Sequence, residues 1–199
     1  FFSPPTRQTP IPLRLVGSEM CIRDRGYLRI TQFTEGVPKQ VLEALAELQD
    51  KGIEGLVLDL RNNSGGLVSS GLAVADDFLS GGAIVETRNR EGITDSIQAG
   101  TSTLFDGPML TLVNGGTASA SEILAGALQD SGRSTLLGNR TFGKGLIQTL
   151  TNLSDGSGLA VTVAGYVTPS GRDIQDAGCL LYTSDAADEG LGVDLGGRR

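Results

Sequence analysis

The chain has 199 residues, of which 39% are hydrophobic, 20% charged and 5% aromatic, with 29 glycines, no histidine and a formal charge of −7. That length suits one domain, no apolar run approaches the roughly 20 residues of a membrane-spanning helix, and the first residues lack the basic start and apolar stretch of a signal peptide. The missing histidine removes the commonest general base, every histidine metal ligand and any Ser-His-Asp arrangement, and the acidic balance without a Lys/Arg stripe speaks against nucleic acid as a partner.

In chain order, residues 14–25 (RLVGSEMCIRDR) have neither a helical nor an alternating apolar period. Back-translated, they match one arm of a sequencing-library adapter read in frame. Residues 1–25 are therefore set apart as a non-native leader, although 1–13 carry no such match. Residues 26–33 alternate Tyr27, Arg29 and Thr31 against Leu28, Ile30 and Gln32 and predict a strand. A helix is expected over 37–51, with Val41, Leu42, Leu45 and Leu48 on its apolar stripe and Gly52 as its stop. Residues 55–60 (GLVLDL) read as a buried strand that runs into the loop 62–66 (NNSGG). A second helix is expected over 69–78, and 83–88 with 93–98 form a strand pair turning at 89–92. Residues 108–113 are another buried strand, followed by the small-residue loop 114–118, a helix over 119–129, the breaker Gly132 and a short strand at 134–137. After the loop 138–145, strands at 146–153 and 159–168 flank a turn at 154–158. Residues 179–199 lose periodicity again and match the adapter's other arm, so they are set apart as an adapter-derived tail. This leaves 26–178 as the credible domain, and both Cys21 and Cys179 outside it. The two ends hold equal numbers of basic and acidic residues, so the whole acidic excess belongs to 26–178.

Helices alternating with buried strands argue for an α/β layer architecture. Three glycine-rich loops, 62–66, 114–119 and 138–145, sit where strands end, the place where open α/β sheets bind ligands. Ser119 lies at a strand-to-helix corner where its Oγ is exposed and the Ala120 amide can point at an oxyanion. Ser119-x-x-Glu122 is also a capping box, and from that motif alone capping is the ordinary reading. Lys144 stands between Gly143 and Gly145, and on its own reads as a solvated loop lysine; it can act as a base only when neutral. Residues 138–144 satisfy G-x-x-x-x-G-K, but Gly145 replaces the magnesium-binding Ser/Thr and a strand pattern follows, so a nucleotide loop is rejected.

Taken together, 55–66 (GLVLDLRNNSGG), 112–130 (LVNGGTASASEILAGALQD), 138–148 (GNRTFGKGLIQ) and 168–175 (TPSGRDIQ) resemble the C-terminal processing peptidases, or tail-specific proteases. That family uses a Ser-Lys site on a crotonase/ClpP-like layered β-β-α core. The resemblance implies Ser119 as nucleophile, Lys144 as general base, Gln148 as the side chain orienting the lysine amine, and the Gly65 and Ala120 N–H groups as oxyanion hole. It implies no metal or cofactor. Substrates would be proteins or peptides with accessible C-termini, and the compartment the periplasm, cell envelope or thylakoid lumen. Asp130 matches an acidic position some members place near the site, against the plain reading of a solvated helix-end residue. Ser64 and Ser121 rank below Ser119 as nucleophiles, and Asp59 with Arg61 reads as a structural pair. The PDZ domain that members usually carry before this core has no counterpart, so 26–178 reads as a core fragment. Two other readings stay open: a crotonase-like core binding an acyl thioester, and a catalytically silent scaffold.

Overall fold

A computed structural model describes residues 16–18, 24–152 and 157–179. The alternation predicted from residue 26 places Leu28 and Ile30 in the interior and leaves Tyr27 and Arg29 half-buried on strand β2 (Arg25–Ile30). A short β1 (Val16–Ser18) pairs antiparallel with it, within the stretch set apart as leader. β2 ends sooner than expected because Phe33 leaves the ladder. Its N–H donates to the Gly65 carbonyl and its carbonyl accepts from Leu67, 2.9 Å each, tying the strand end to the glycine loop.

Helix α1 (Val37–Asp50) opens with a proline in its first turn, where no N–H is required, and buries Val37, Val41, Ala44, Leu45 and Leu48. Leu42, expected on that stripe, is 42% exposed, since it lies about 100° round the helix from Val41. β3 (Gly55–Asp59), α2 (Val68–Phe78), the hairpin β4 (Ala83–Asn89) and β5 (Gly92–Gln98), β6 (Met109–Val113), α3 (Ala120–Asp130) and β7 (Thr135–Gly138) follow the predicted order. β8 (Leu146–Asn152) and β9 (Gly158–Val167) are the last strands among the described residues, and the turn expected between them falls mostly on 153–156, outside those residues.

The fold is mixed α/β, with two sheets among the described residues. One has the order β1-β2-β3-β6-β7, in which β2, β3, β6 and β7 run parallel; the other, β5-β4-β9-β8, is antiparallel. The inward residues Leu56, Leu58, Val113 and Leu136 of the parallel sheet join Leu45 and Leu48 of α1, Val74 and Phe78 of α2, and Ile123, Leu124 and Leu128 of α3 in a single core. Every residue of α3 from Ala120 to Leu128 is buried, which accounts for its run of Ala, Gly and Leu: it has no solvent face to fill with charge. None of the described helices is long and apolar enough to cross a membrane.

Cys179, assigned from sequence to the tail, is 1% exposed in this core. Its N–H donates to Thr141 Oγ1 at 2.7 Å, and burial, followed by the nearby Glu122 charge, pushes its thiol up to about 12, so it stays protonated and unreactive.

Asp77 on α2 is a poorly accommodated carboxylate. Its Oδ2 is buried without a hydrogen-bond partner, and burial, reinforced by the adjacent Asp76, pushes it up to about 6 from 3.8. A raised carboxyl pKa stabilises the fold most below the unfolded value, and that contribution is lost as pH rises through about 6. Asp77→Asn is therefore expected to raise the thermal midpoint near pH 7, by on the order of 1 kcal/mol once solvent screening is allowed for, with the gain vanishing toward pH 4. Equal gains at both pH values would show that the charge is not the cause.

Candidate active site

Ser119 stands at the corner between β6 and α3 with φ 57° and ψ −119°, a left-handed backbone that costs a β-carbon-bearing residue about 1–3 kcal/mol. The strain persists because the neighbouring atoms are over-determined. The Ser119 N–H donates to Glu122 Oε2 at 2.9 Å, Ala118 N–H to the Asn63 carbonyl at 3.0 Å, and Thr117 Oγ1 to the Leu60 carbonyl at 2.8 Å. Ala120 follows at the first helical position, where its N–H has no intrahelical acceptor. Ser119 itself is half-buried.

The first glycine loop is pressed against this corner. Asn62 and Asn114 bind each other across the two loops, with Asn62 N–H donating to Asn114 Oδ1 at 2.9 Å and Asn114 Nδ2 to Asn62 Oδ1 at 3.0 Å. Gly65, at φ 99°, approaches so closely that a β-carbon there would lie 2.7 Å from the Ala118 oxygen, 2.9 Å from Ser119 Cβ and 3.1 Å from the Ala120 nitrogen. Only glycine admits that approach. The Gly65 N–H donates to Asn63 Oδ1 at 2.9 Å.

Lys144 reaches the same place through a group that sequence reasoning treated only as a helix cap. Glu122 is fully buried, and four donors fill its two oxygens. Thr141 Oγ1 and Gly143 N–H bind Oε1, each at 2.6 Å; Ser119 N–H and Lys144 N–H bind Oε2, at 2.9 and 2.8 Å. One carboxylate oxygen thus holds the backbone of both predicted catalytic residues. The far side of the lysine loop is clamped by the segment after β9: Gly145 N–H donates to Gln175 Oε1 at 3.0 Å, and Asp176 N–H to the Gly143 carbonyl at 3.0 Å. Phe142, Lys144, Leu146, Gln148, Gln175 and Asp176 line a hollow of about 510 Å³. Both Lys144 and Gln148 are exposed on it, and Gln148 lies at an irregularity in the β8–β9 ladder, a feature that re-aims side chains. A second hollow of about 510 Å³ opens on the glycine-loop side, beside Phe33, Gly66 and Leu67.

The remaining candidates fall into structural places. Asp59 is buried and accepts both Arg61 N–H and Nε at 2.9 Å on Oδ1 and Nη2 at 2.8 Å on Oδ2, with the Tyr27 hydroxyl 2.5 Å from Oδ2. Burial alone would raise this carboxyl, but the arginine fork and the tyrosine hold it below the usual range. Asp130 is neither solvated nor beside Ser119. It pairs with Arg172 and accepts the Ser170 N–H at 2.9 Å; burial alone would raise its carboxyl, but hydrogen bonds from Thr168 and Ser170, followed by the Arg172 charge, keep it lowered. Ser121 is buried and donates to the Asn63 carbonyl at 3.1 Å, while Ser64 is exposed in the loop. Ser119, Ala120, Gly65 and the Lys144 backbone are brought together; among the described residues no hydrogen bond joins the Ser119 hydroxyl to the Lys144 amine. Among the described residues no cluster of His, Cys, Asp and Glu could hold a metal ion.

The mixed α/β fold thus lifts the Ser119 residue onto a sharp strand-to-helix turn, beside a glycine loop and a helix N-terminus. A profile of peptidase family S41 matches residues 24–180, and the chain belongs to that family. It is 52% identical over 155 residues to a carboxyl-terminal-processing protease of Synechocystis sp., covering 78% of this chain and 36% of the relative. It is 51% identical over 154 residues to a chloroplastic C-terminal processing peptidase of Tetradesmus obliquus, covering 77% and 33%. A solved photosystem II D1 C-terminal processing protease superposes with a TM-score of 0.77 at 48% identity, over 79% of this chain and 41% of that one. The chain spans about a third of the length of the curated relatives it matches.

Proposed function

We propose that this chain carries the catalytic core of a serine peptidase that cleaves proteins near their C-termini through a Ser119 acyl-enzyme. The observation that carries the reading is the shared carboxylate oxygen of Glu122, which holds the Ser119 and Lys144 backbones in one unit. In the proposed reaction a neutral Lys144 amine takes the Ser119 proton as Oγ bonds to the scissile carbonyl carbon, and the carbonyl oxygen becomes an oxyanion between the Gly65 and Ala120 N–H groups. The C–N bond then breaks as Lys144 returns the proton to the leaving amine; water, deprotonated by Lys144, releases the acyl group from Ser119. Gln148, on the same hollow as Lys144, orients the amine. Lys144 is exposed in the free chain, so a peptide laid over that hollow supplies the desolvation a lysine base needs. No cofactor enters any step.

Residues 26–178 are proposed as the protease core, of crotonase/ClpP-like layering; Val16–Ser18 pairs with β2 and Cys179 is buried in the core, so the packed unit extends past both of these sequence-drawn boundaries. Its partners are proteins or peptides with accessible C-termini. The relatives named chloroplastic support the thylakoid lumen as one compartment, and the periplasm or cell envelope is the bacterial counterpart.

A serine-directed acylating probe with adduct mapping by mass tests the reading. Parent protein is expected to label at Ser119, Ser119→Ala not at all, and Lys144→Ala about 10²–10⁴-fold more slowly. A folded parent that stays unlabelled overturns the dyad and favours an acyl-thioester pocket or a silent scaffold.

A further inference from the structure

The Gly65 amide, proposed as an oxyanion donor, is already engaged. Asn63 Oδ1 accepts it at 2.9 Å, in the side-chain-to-second-amide geometry that asparagine favours in turns. Asn63 is fully buried and all of its polar groups are used: Nδ2 donates to the Ile30 carbonyl at 2.9 Å, and its own carbonyl accepts Ala118 N–H at 3.0 Å and Ser121 Oγ at 3.1 Å. This one residue therefore anchors the glycine loop to the end of β2 and to the nucleophile corner, and also occupies the amide the reaction needs.

We infer that Asn63 is a positioning residue whose neutral side-chain carbonyl holds the Gly65 N–H in the resting site and yields it only to a charged oxygen. The inference rests on the acyl-enzyme reading above. A hydrogen bond to an ionised acceptor is about twice as strong as one between neutral groups. An uncharged substrate carbonyl therefore cannot displace Asn63 Oδ1 to advantage, whereas the oxyanion of the tetrahedral intermediate can. The N–H to be exchanged belongs to the Ser64–Gly65 peptide unit, which Gly65, at φ 99° and without a side chain, lets tilt while the Gly65 carbonyl stays bonded to Phe33. Asn63 thereby shifts the gain from this donor to the transition state, where it raises kcat and leaves ground-state binding unchanged.

Two substitutions separate this role from plain support. Asn63→Ala and Asn63→Asp both lose the Nδ2 bond to Ile30, but alanine removes the competing acceptor while aspartate makes it charged and equal to the oxyanion. The expected order of Ser119 labelling, measured on the full chain at pH 8, is Asn63→Ala faster than Asn63→Asp by about tenfold or more, against the 10²–10³ that one oxyanion donor supplies. Amide hydrogen exchange should show Gly65 protection in the parent and in Asn63→Asp, lost in Asn63→Ala. Thermal unfolding of each variant gives the folded fraction to which rates are normalised. Labelling of Asn63→Asp as fast as Asn63→Ala, or Gly65 protection unchanged in Asn63→Ala, overturns the inference alone; an unlabelled parent overturns it together with the dyad.

Discussion

Glu122→Ala is expected to abolish Ser119 labelling and to lower the thermal midpoint by roughly 6–12 °C. The substitution leaves four donors, the buried Thr141 Oγ1 and Gly143 N–H and the part-buried N–H groups of Ser119 and Lys144, without their acceptor. Breaking a buried charged network of this kind costs about 3 kcal/mol or more, and about 2–4 °C accompanies each kcal/mol in a domain of this size. The corner also loses the bond that holds Ser119 at φ 57°, so its backbone relaxes toward an ordinary helix start. Glu122→Gln separates the two effects. It keeps the volume but turns an N–H₂ toward donors whichever way the amide lies, so labelling should fall by about 10²-fold with a smaller loss of stability. A Glu122→Gln protein that labels at the parental rate would show that the carboxylate serves the fold and not the site.

Gly66→Ala is expected to disable the site by a different route. A β-carbon at Gly66 would lie 2.1 Å from the Phe33 oxygen and 2.9 Å from the Phe33 carbonyl carbon, and the residue sits at φ 137°. Neither partner can retreat, because both belong to backbone that pairs Phe33 with the loop through the bonds to Gly65 and Leu67. The loop must move away from β2, and it takes Gly65 from its contact with Ser119 and Ala120. The expected outcome is a loss of about 3 kcal/mol or more in unfolding and no Ser119 labelling, read by denaturant titration and by the acylating probe. Gly82→Ala is the control: that glycine also has a positive φ, but a methyl there meets open space, so only about 1 kcal/mol is expected and labelling should be kept. Equal losses at the two positions would mean that backbone strain, and not the collision with Phe33, decides the effect.

The order of strands and helices was legible along nearly the whole described chain because it is written in short-range pattern. The alternation at Leu28 and Ile30, the stripe of Val41, Leu45 and Leu48, and the buried runs ending at Asp59 and Val113 each depend on neighbours within a turn or two. Where a boundary or a face was misread, a distant partner decided it. β2 stops early because Phe33 pairs with a loop more than thirty residues on, and Leu42 is exposed because the core reaches α1 from one side only.

The sequence by itself determined the family resemblance, the candidates Ser119 and Lys144, the glycine loops and the Asp59–Arg61 pair, since each is a motif of residues close together in the chain. Only the tertiary structure decided what joins them. Glu122 looks like a helix cap from three residues away and meets Thr141, Gly143 and Lys144 only after β7 has crossed beside β6. Asn63 looks like a turn residue until its side chain is seen between Ile30 and Gly65, and Asp130 looks solvated until Arg172 folds back onto it. A buried polar group must find its partners wherever the packed chain brings them. No local pattern carries that choice, because the groups that complete a hydrogen bond are selected by the fold and not by their spacing in sequence.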